Sequence, residues 1–178
     1  MEVYLVRHTE TVCEKGICYG QSDVKIAAPY DAVFKSVLNQ LPKEAMLYSS
    51  PLLRCVLLAN YIKENSEIAT VNKDCRLMEM NFGDWEMKKW DQIEAEELNL
   101  WMTDFVNVRV SNGESFTDLY GRVVDFINNE LQTVDSKPVI IVAHAGVIRS
   151  FLCKISDLPL ADAFQNKVDF GAVIKIQL

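Results

Sequence analysis

The chain contains only two histidines, and each follows a run of residues typical of a buried strand. Val3–Val6 leads to Arg7 and His8, and Val139–Ala143 leads directly to His144. An imidazole can act as a nucleophile or exchange a proton near neutral pH. The guanidinium fork of an arginine matches phosphate oxygens in charge and shape. These residues therefore predict a site for a phosphate-like anion, with Arg7 and His8 side by side.

A third segment, Tyr48–Arg54, has the pattern of a strand, a turn and a helix start. Ser50 is the expected N-cap, and Pro51 fits the first helical position. Arg54 would then lie in the first turn, where backbone amides and the helix macrodipole favour an anion. By itself Arg54 could equally be a solvated surface residue, but together with Arg7 and the histidines it completes a cationic cluster.

Glu79 is the candidate carboxylate, because it lies between Met78 and Met80. Apolar neighbours would desolvate its carboxyl group and increase its tendency to hold a proton. A protonated carboxyl group could act as a general acid. Taken alone, the residue types favour a turn carboxylate near Gly83, so both interpretations remain open at this point.

Strands and helices alternate along the chain, which predicts an α/β fold with a mostly parallel central sheet flanked by helices in three layers. The expected strands are Val3–Val6, Ala45–Tyr48, Ile68–Val71, Pro138–Ala143 and an edge strand, Ala172–Ile176. The expected helices are Asp31–Leu41, Pro51–Glu64, Ser115–Thr133 and Gly146–Ile155. Ligands bind beyond the carboxyl ends of strands in such sheets, so both histidines should lie at the functional edge.

The length of 178 residues fits one domain, 1–178, with a helical insertion around 82–112. The three tryptophans of that insertion, Trp85, Trp90 and Trp101, are expected to pack in its core and lid. The net charge is −7, which argues against nucleic acid or an anionic membrane as partner. The five cysteines are widely spaced, no apolar run is long enough for a membrane helix, and the start does not resemble a leader peptide. These features predict a cytoplasmic protein.

Metal binding is the main rival function, because Glu10, Asp23 and Glu79 could join the histidines as ligands. No compact ligand pair such as HExxH is present, and Arg7 would repel a cation beside His8. A serine hydrolase is less well supported, since the chain has no GxSxG elbow. We therefore expect neither a metal nor an organic cofactor.

The segment Leu5–Thr11 resembles the Arg-His-Gly-Glu-Thr signature of the histidine phosphatase superfamily, the phosphoglycerate mutase-like proteins. Four further segments are similar to family signatures and occur in family order: Ser49–Cys55, Leu77–Glu86, Asn112–Ser115 and Val142–Gly146. Thr9 replaces the glycine of most members, and Glu14 stands where the family often has asparagine. A carboxylate near phosphate is unfavourable, so Glu14 should point away.

Within the superfamily, Cys18–Gln21 resembles the Cys-Tyr-Gly-Gln segment of the α-ribazole phosphatases, which act in assembly of the cobalamin nucleotide loop. The family resemblance implies that His8 attacks phosphorus to form a phosphohistidine and that Glu79 serves as the acid and base. The phosphate-binding residues would be Arg7, Arg54 and His144, and the substrate-side residues Thr9, Tyr19, Gly20 and Gln21. The expected partner is a small phosphorylated metabolite, and the protein is expected to be a monomer or homodimer.

Three alternatives remain at this stage. A broad-specificity sugar or metabolite phosphatase would use the same residues on other esters. A phosphoglycerate mutase would return the phosphate to a second oxygen instead of releasing it. A non-catalytic binding module would need no protonatable Glu79 opposite a nucleophilic His8, and it is the weakest alternative.

Overall fold

A computed structural model describes residues 1–133 and 137–178. Its five-stranded sheet has the order β3-β2-β4-β1-β5, and every neighbouring pair is parallel except β1 and β5. The strands are β1 (Glu2–Arg7), β2 (Met46–Ser49), β3 (Val71–Lys73), β4 (Val139–Ala143) and β5 (Val173–Gln177). The mostly parallel sheet is therefore confirmed, with β5 as its antiparallel edge strand.

Helices cover both faces of the sheet and complete three layers. The helices are α1 (Asp31–Leu38), α2 (Leu53–Glu64), α3 (Ala95–Thr103), α4 (Phe116–Asn129) and α5 (Ala145–Ser156). Val6, Ile140 and Val142 pack in the core that includes α1 and α2, whereas Val3 and Ile141 pack in the core that includes α4 and α5. The alternation explains why β4 is apolar and fully buried at all five positions, since both of its faces are covered.

Two local predictions need correction. The third strand begins at Val71, not at the predicted Ile68. Ile68 is buried in the core without pairing in the sheet, because an apolar run indicates burial and not necessarily strand pairing. Helix α2 has Leu52 as its N-cap, with no side-chain cap. Ser50 instead accepts a hydrogen bond from the Leu52 amide inside the turn, at 3.3 Å. The helix therefore begins at Leu53, two residues later than predicted.

The segment 82–112 is helical in part and packs through its aromatic residues. It contains 3-10 turns at Gly83–Trp85 and Trp90–Gln92, followed by α3. The rings of Trp90 and Trp101 stack 6.1 Å apart, and Phe82 meets both edge-on. Within the described residues, no helix is long and apolar enough to cross a membrane.

Candidate active site

The pairing of β1 with β4 brings the two histidines together. Arg7 is in register with Ala143, and the amide of His8 donates to the Ala143 carbonyl at 3.1 Å. Each histidine follows its strand by one residue, so the two rings meet edge-on with their centroids 5.1 Å apart. The predicted meeting of His8 and His144 at the carboxyl edge of the sheet is present.

His8 is held as a neutral imidazole with one nitrogen available. Its ring is 3% exposed, and Nδ1 lies 2.7 Å from the Thr9 carbonyl oxygen. A carbonyl can only accept, so Nδ1 carries the proton and Nε2 keeps its lone pair. Burial, and then the positive charge of Arg54, lower the pKa of His8 to about 3. The imidazole is therefore uncharged at neutral pH, as a nucleophile must be.

Arg54 is fully buried, and carbonyl oxygens rather than carboxylates hold its guanidinium. Nη2 donates to Gly20 at 2.5 Å and Nη1 donates to Ser22 at 2.9 Å. Nε donates to Nδ1 of His144 at 3.3 Å. None of these acceptors carries a negative charge, so the positive charge of Arg54 remains available to an anion.

His144 is completely buried and also neutral. Its Nδ1 accepts from Arg54, so Nε2 carries the proton and donates to the hydroxyl oxygen of Ser50 at 2.8 Å. Burial, and then neighbouring His8 and Arg54, hold the pKa of His144 well below its ordinary value. Both ring nitrogens thus contact protein groups in this structure. Contact of His144 with a phosphate stays a prediction and would require Nε2 to exchange Ser50 for the ligand.

Arg7 lies on the other side of His8. Its Nη1 donates to the Val168 carbonyl at 2.6 Å, and its guanidinium carbon lies 3.8 Å from the centroid of the Phe170 ring. Its buried Nε has no hydrogen-bond partner within residues 1–133 and 137–178. Burial lowers the pKa of Arg7, so a bound anion would relieve part of the desolvation of its charge.

The carboxylate of Glu79 contacts the first turn of α5, and Glu79 lines the same cavity as His8. Its Oε2 accepts from the Gly146 amide at 3.2 Å, and its Oε1 accepts from the Met80 amide at 3.0 Å. A Cβ on residue 146 would lie only 2.3 Å from Oε1, so glycine permits this close approach. The backbone carbonyl of Glu79 is fixed by Gln21 at 3.0 Å and by Arg122 at 2.8 Å.

Four predicted residues line one cavity of about 220 Å³: Arg7, His8, Arg54 and Glu79. Tyr19 also lines it, which agrees with its predicted substrate-side position. Thr9, Gly20 and Gln21 lie outside this lining set. Instead, Thr9 orients His8, Gly20 holds Arg54 and Gln21 holds Glu79, each through the bonds described above. The placement of Thr9, Gly20 and Gln21 beside the substrate stays a prediction.

Glu86 is the main residue that sequence reasoning missed. Its carboxylate accepts from the amides of Gly20, Gln21 and Ser22 at 2.9 to 3.1 Å, and from the amide of Phe82 at 3.1 Å. Burial alone would raise the pKa of Glu86, but these amides together lower it. The carbonyls of the same loop hold Arg54, so Glu86 supports the guanidinium indirectly.

Arg122 and Arg149 were also missed. Arg122 joins Glu114 in a half-buried ion pair at 2.9 Å and donates to the carbonyls of Arg76, Met78 and Glu79. Arg149 lies on α5 and lines the space next to Glu79. Both belong to helices, where a single sequence gives no sign that an arginine is turned inward.

In residues 1–133 and 137–178, no group of three histidine, cysteine or acidic residues is placed so that it could hold a metal ion. Glu14, which was expected to point away from the phosphate, is exposed on the surface.

Comparison with known proteins agrees with the geometry. The chain is 29% identical over 178 residues to an adenosylcobalamin/α-ribazole phosphatase of Salmonella typhimurium, covering 96% of this chain and 87% of the relative. It is 25% identical over 167 residues to phosphoserine phosphatase 1 of Hydrogenobacter thermophilus, covering 90% and 79%. The crystal structure of an α-ribazole phosphatase from Shigella flexneri superimposes with a TM-score of 0.88 at 26% identity, covering 100% of this chain and 91% of that one.

These relatives are phosphatases, and their fold is the one described above. The family model of the histidine phosphatase superfamily (branch 1) matches residues 3–178, which is nearly the whole chain. The chain therefore belongs to the histidine phosphatase superfamily.

Proposed function

We propose that the protein is a phosphomonoester hydrolase that works through a phosphohistidine at His8. The observation that carries this proposal is the state of His8: its Nδ1 is fixed by the Thr9 carbonyl, and its Nε2 lone pair is unprotonated. The cavity around it holds two guanidiniums, of Arg7 and Arg54, with Glu79 opposite. Such a set can bind a phosphate, attack it and protonate what leaves.

In the first step, Nε2 of His8 attacks phosphorus and the bond to the leaving oxygen breaks. Arg7 and Arg54 stabilise the charge on the equatorial oxygens, and their fixed positions avoid reorganisation during the reaction. Glu79 donates a proton to the leaving alkoxide. The Nδ1–H bond to Thr9 stabilises the positive charge that develops on the imidazole.

In the second step, the ionised Glu79 takes a proton from water as the water attacks the phosphohistidine. The phosphorus–nitrogen bond breaks, inorganic phosphate leaves and His8 returns to its neutral form. The Met80 and Gly146 amides hold the Glu79 carboxyl group in place for this step.

We infer that the substrate is α-ribazole 5′-phosphate. The support is the similarity along nearly the full length to α-ribazole phosphatases and the Cys18–Gln21 segment. The proposal also includes a single domain over 1–178, a small phosphorylated metabolite as the partner and a cytoplasmic location. Whether the protein works as a monomer or a homodimer stays open in it.

A second candidate substrate is phosphoserine or another phosphate ester that carries a carboxylate. Arg149 favours it, because this half-buried guanidinium lies beside Glu79 and forms no ion pair within the described residues. A carboxylate on the leaving group could pair with it. A mutase would use the same site and transfer the phosphate back to its product.

The test is phosphate release from four esters at equal concentration: α-ribazole 5′-phosphate, L-phosphoserine, ribose 5-phosphate and 3-phosphoglycerate. We expect the first to have the highest kcat/KM and His8→Ala to abolish release from all four. Preference for L-phosphoserine would select the second candidate. Isomer formation from 3-phosphoglycerate without phosphate release would show that the protein is a mutase and not a hydrolase.

A further inference from the structure

A second cavity adjoins the phosphate cavity on the side where the leaving group must lie. Tyr19, Glu79 and Phe82 line both cavities. Because Glu79 is the proposed acid, the leaving oxygen must lie near this boundary. The rest of the leaving group must then enter the second cavity or pass into solvent.

The second cavity opens into an aromatic cleft. Trp101 and Phe164 line both, and the cleft adds Trp90, Leu98 and Met102 in a volume of about 380 Å³. We call Phe82, Trp90, Trp101, Met102 and Phe164 the ring cleft. Phe164 is 52% exposed and Met102 is 65% exposed, so a continuous apolar surface faces solvent next to the reacting atoms. Apolar surface of this kind commonly marks a binding site.

Arg149 is a cationic neighbour of the ring cleft. Its guanidinium carbon lies 4.7 Å from the centroid of the Phe164 ring, and its Nε donates to the Asn166 carbonyl at 3.2 Å. The remaining nitrogens of Arg149 contact no acceptor within residues 1–133 and 137–178. It can therefore support the ring of Phe164 and donate to a ring nitrogen or a sugar hydroxyl.

We propose that the ring cleft binds a planar heteroaromatic base carried by the leaving group, with Phe164 as the residue that determines specificity. This inference rests on the proposed phosphatase function and assigns the residues that distinguish a nucleoside-type ester from a small one. A flat ring gains stacking and apolar burial among aromatic side chains. Serine is too small to cover these apolar walls, so its one specific contact would be the pairing of its carboxylate with Arg149.

The experiment compares α-ribazole 5′-phosphate with ribose 5-phosphate, in which an anomeric hydroxyl takes the place of the base. The ratio of their kcat/KM values isolates the contribution of the ring. We expect Phe164→Ala to lower this ratio about tenfold and Phe164→Tyr to restore it. Leu100→Ala is the matched control, because Leu100 is a similarly exposed apolar residue of the insertion that does not line the cleft. A ratio that stays within twofold in Phe164→Ala would overturn the proposal.

A binding measurement separates this proposal from the proposed function. Isothermal titration calorimetry with α-ribazole, which carries no phosphate, tests the cleft even if no ester is hydrolysed. We expect binding that Phe164→Ala weakens at least fivefold and Leu100→Ala leaves unchanged. Hydrolysis of ribose 5-phosphate without any binding of α-ribazole would reject the ring cleft and keep the phosphatase. Binding without hydrolysis of any ester would reject the phosphatase and keep the cleft.

Discussion

The phosphate side and the leaving-group side of the site are built in opposite ways. On the phosphate side, His8, Arg54 and His144 are at most 3% exposed, and each is fixed by hydrogen bonds to neighbouring groups. On the leaving-group side, Phe164 and Met102 are more than half exposed and contact their surroundings mainly through apolar surfaces. The phosphate side holds its polar groups in fixed positions, whereas the leaving-group side presents an exposed apolar surface.

This difference indicates how the two tasks are divided. Transfer of a phosphoryl group depends on exact placement of a nucleophile and cations, so these residues are mounted on strand ends and a buried helix start. Recognition of the leaving group tolerates variation, so it lies on the insertion 82–112 and the 3-10 segment Leu160–Gln165. Changes on the phosphate side should therefore affect all substrates, and changes in the ring cleft should affect selected ones.

The largest effect is expected from His8→Ala. Loss of the nucleophile should lower kcat by roughly 10⁴-fold or more for every ester. Steady-state phosphate release at saturating substrate measures it, with circular dichroism as the check on folding. If a folded His8→Ala protein kept a tenth of the activity, the assignment of the nucleophile would be wrong.

Glu79→Gln should separate the two sides of the site. Loss of the acid should slow alkyl phosphates by roughly 10²- to 10⁴-fold, because their alkoxides leave poorly without a proton. p-Nitrophenyl phosphate should lose much less in its first step, since its leaving group needs little protonation. Burst kinetics with both esters would measure phosphoenzyme formation directly, and equal losses would count against the acid role.

Burial of His8 should make stability depend on pH. The unfolded chain takes up a proton at the ordinary pKa of 6.5, whereas the folded chain does so only at about pH 3. Stability from this group is therefore complete above pH 6.5 and is lost as the pH falls toward 3. His8 alone should lower the free energy of unfolding by about 2 kcal/mol between pH 7 and pH 5, and the buried His144 should add to this drop in the same direction.

Urea denaturation of the wild type and His8→Gln at these two pH values isolates that contribution, because the remaining titrating groups are the same in both proteins. The drop in the free energy of unfolding between the two pH values should be about 2 kcal/mol smaller in His8→Gln than in the wild type. An identical drop in the two proteins would mean that His8 titrates normally in the folded state.

Glu86→Gln should give the smallest effect on the phosphate side. The amide group cannot accept from all four backbone N–H groups, so the loop that holds Arg54 should shift. We expect the inhibition constant of inorganic phosphate to rise about tenfold, which corresponds to the free energy of one hydrogen bond to a charged group. Glu96→Gln is the control, since Glu96 is exposed on α3. Equal inhibition constants in the two variants would restrict Glu86 to a role in the fold.

The parts that could be predicted from the sequence are those whose signal is local. A buried strand that ends in a polar residue identified Arg7, His8 and His144, and the mostly parallel sheet followed from alternating strands and helices. Arg54 could be assigned only together with Arg7 and the histidines, because an arginine in the first turn of a helix can equally be a solvated surface residue. Glu79 could be assigned as the acid only through the family resemblance.

Residues whose role depends on distant contacts could not be predicted. Glu86 binds amides more than 60 positions earlier in the chain, and Arg122 binds carbonyls more than 40 positions earlier. The Gly20 carbonyl and the Gln21 side chain also join this internal network, which their predicted substrate-side role did not indicate. A single sequence shows their polarity and does not show which way they point.

The most direct test of the account is to locate the phosphate on the enzyme during turnover. The wild-type protein is mixed with an ester that it hydrolyses, quenched in base within milliseconds and mapped by mass spectrometry. We predict an acid-labile phosphate on the peptide that contains His8, formed and consumed at rates that match turnover. Phosphate on any other residue, or turnover with no phosphoenzyme at all, would contradict the account.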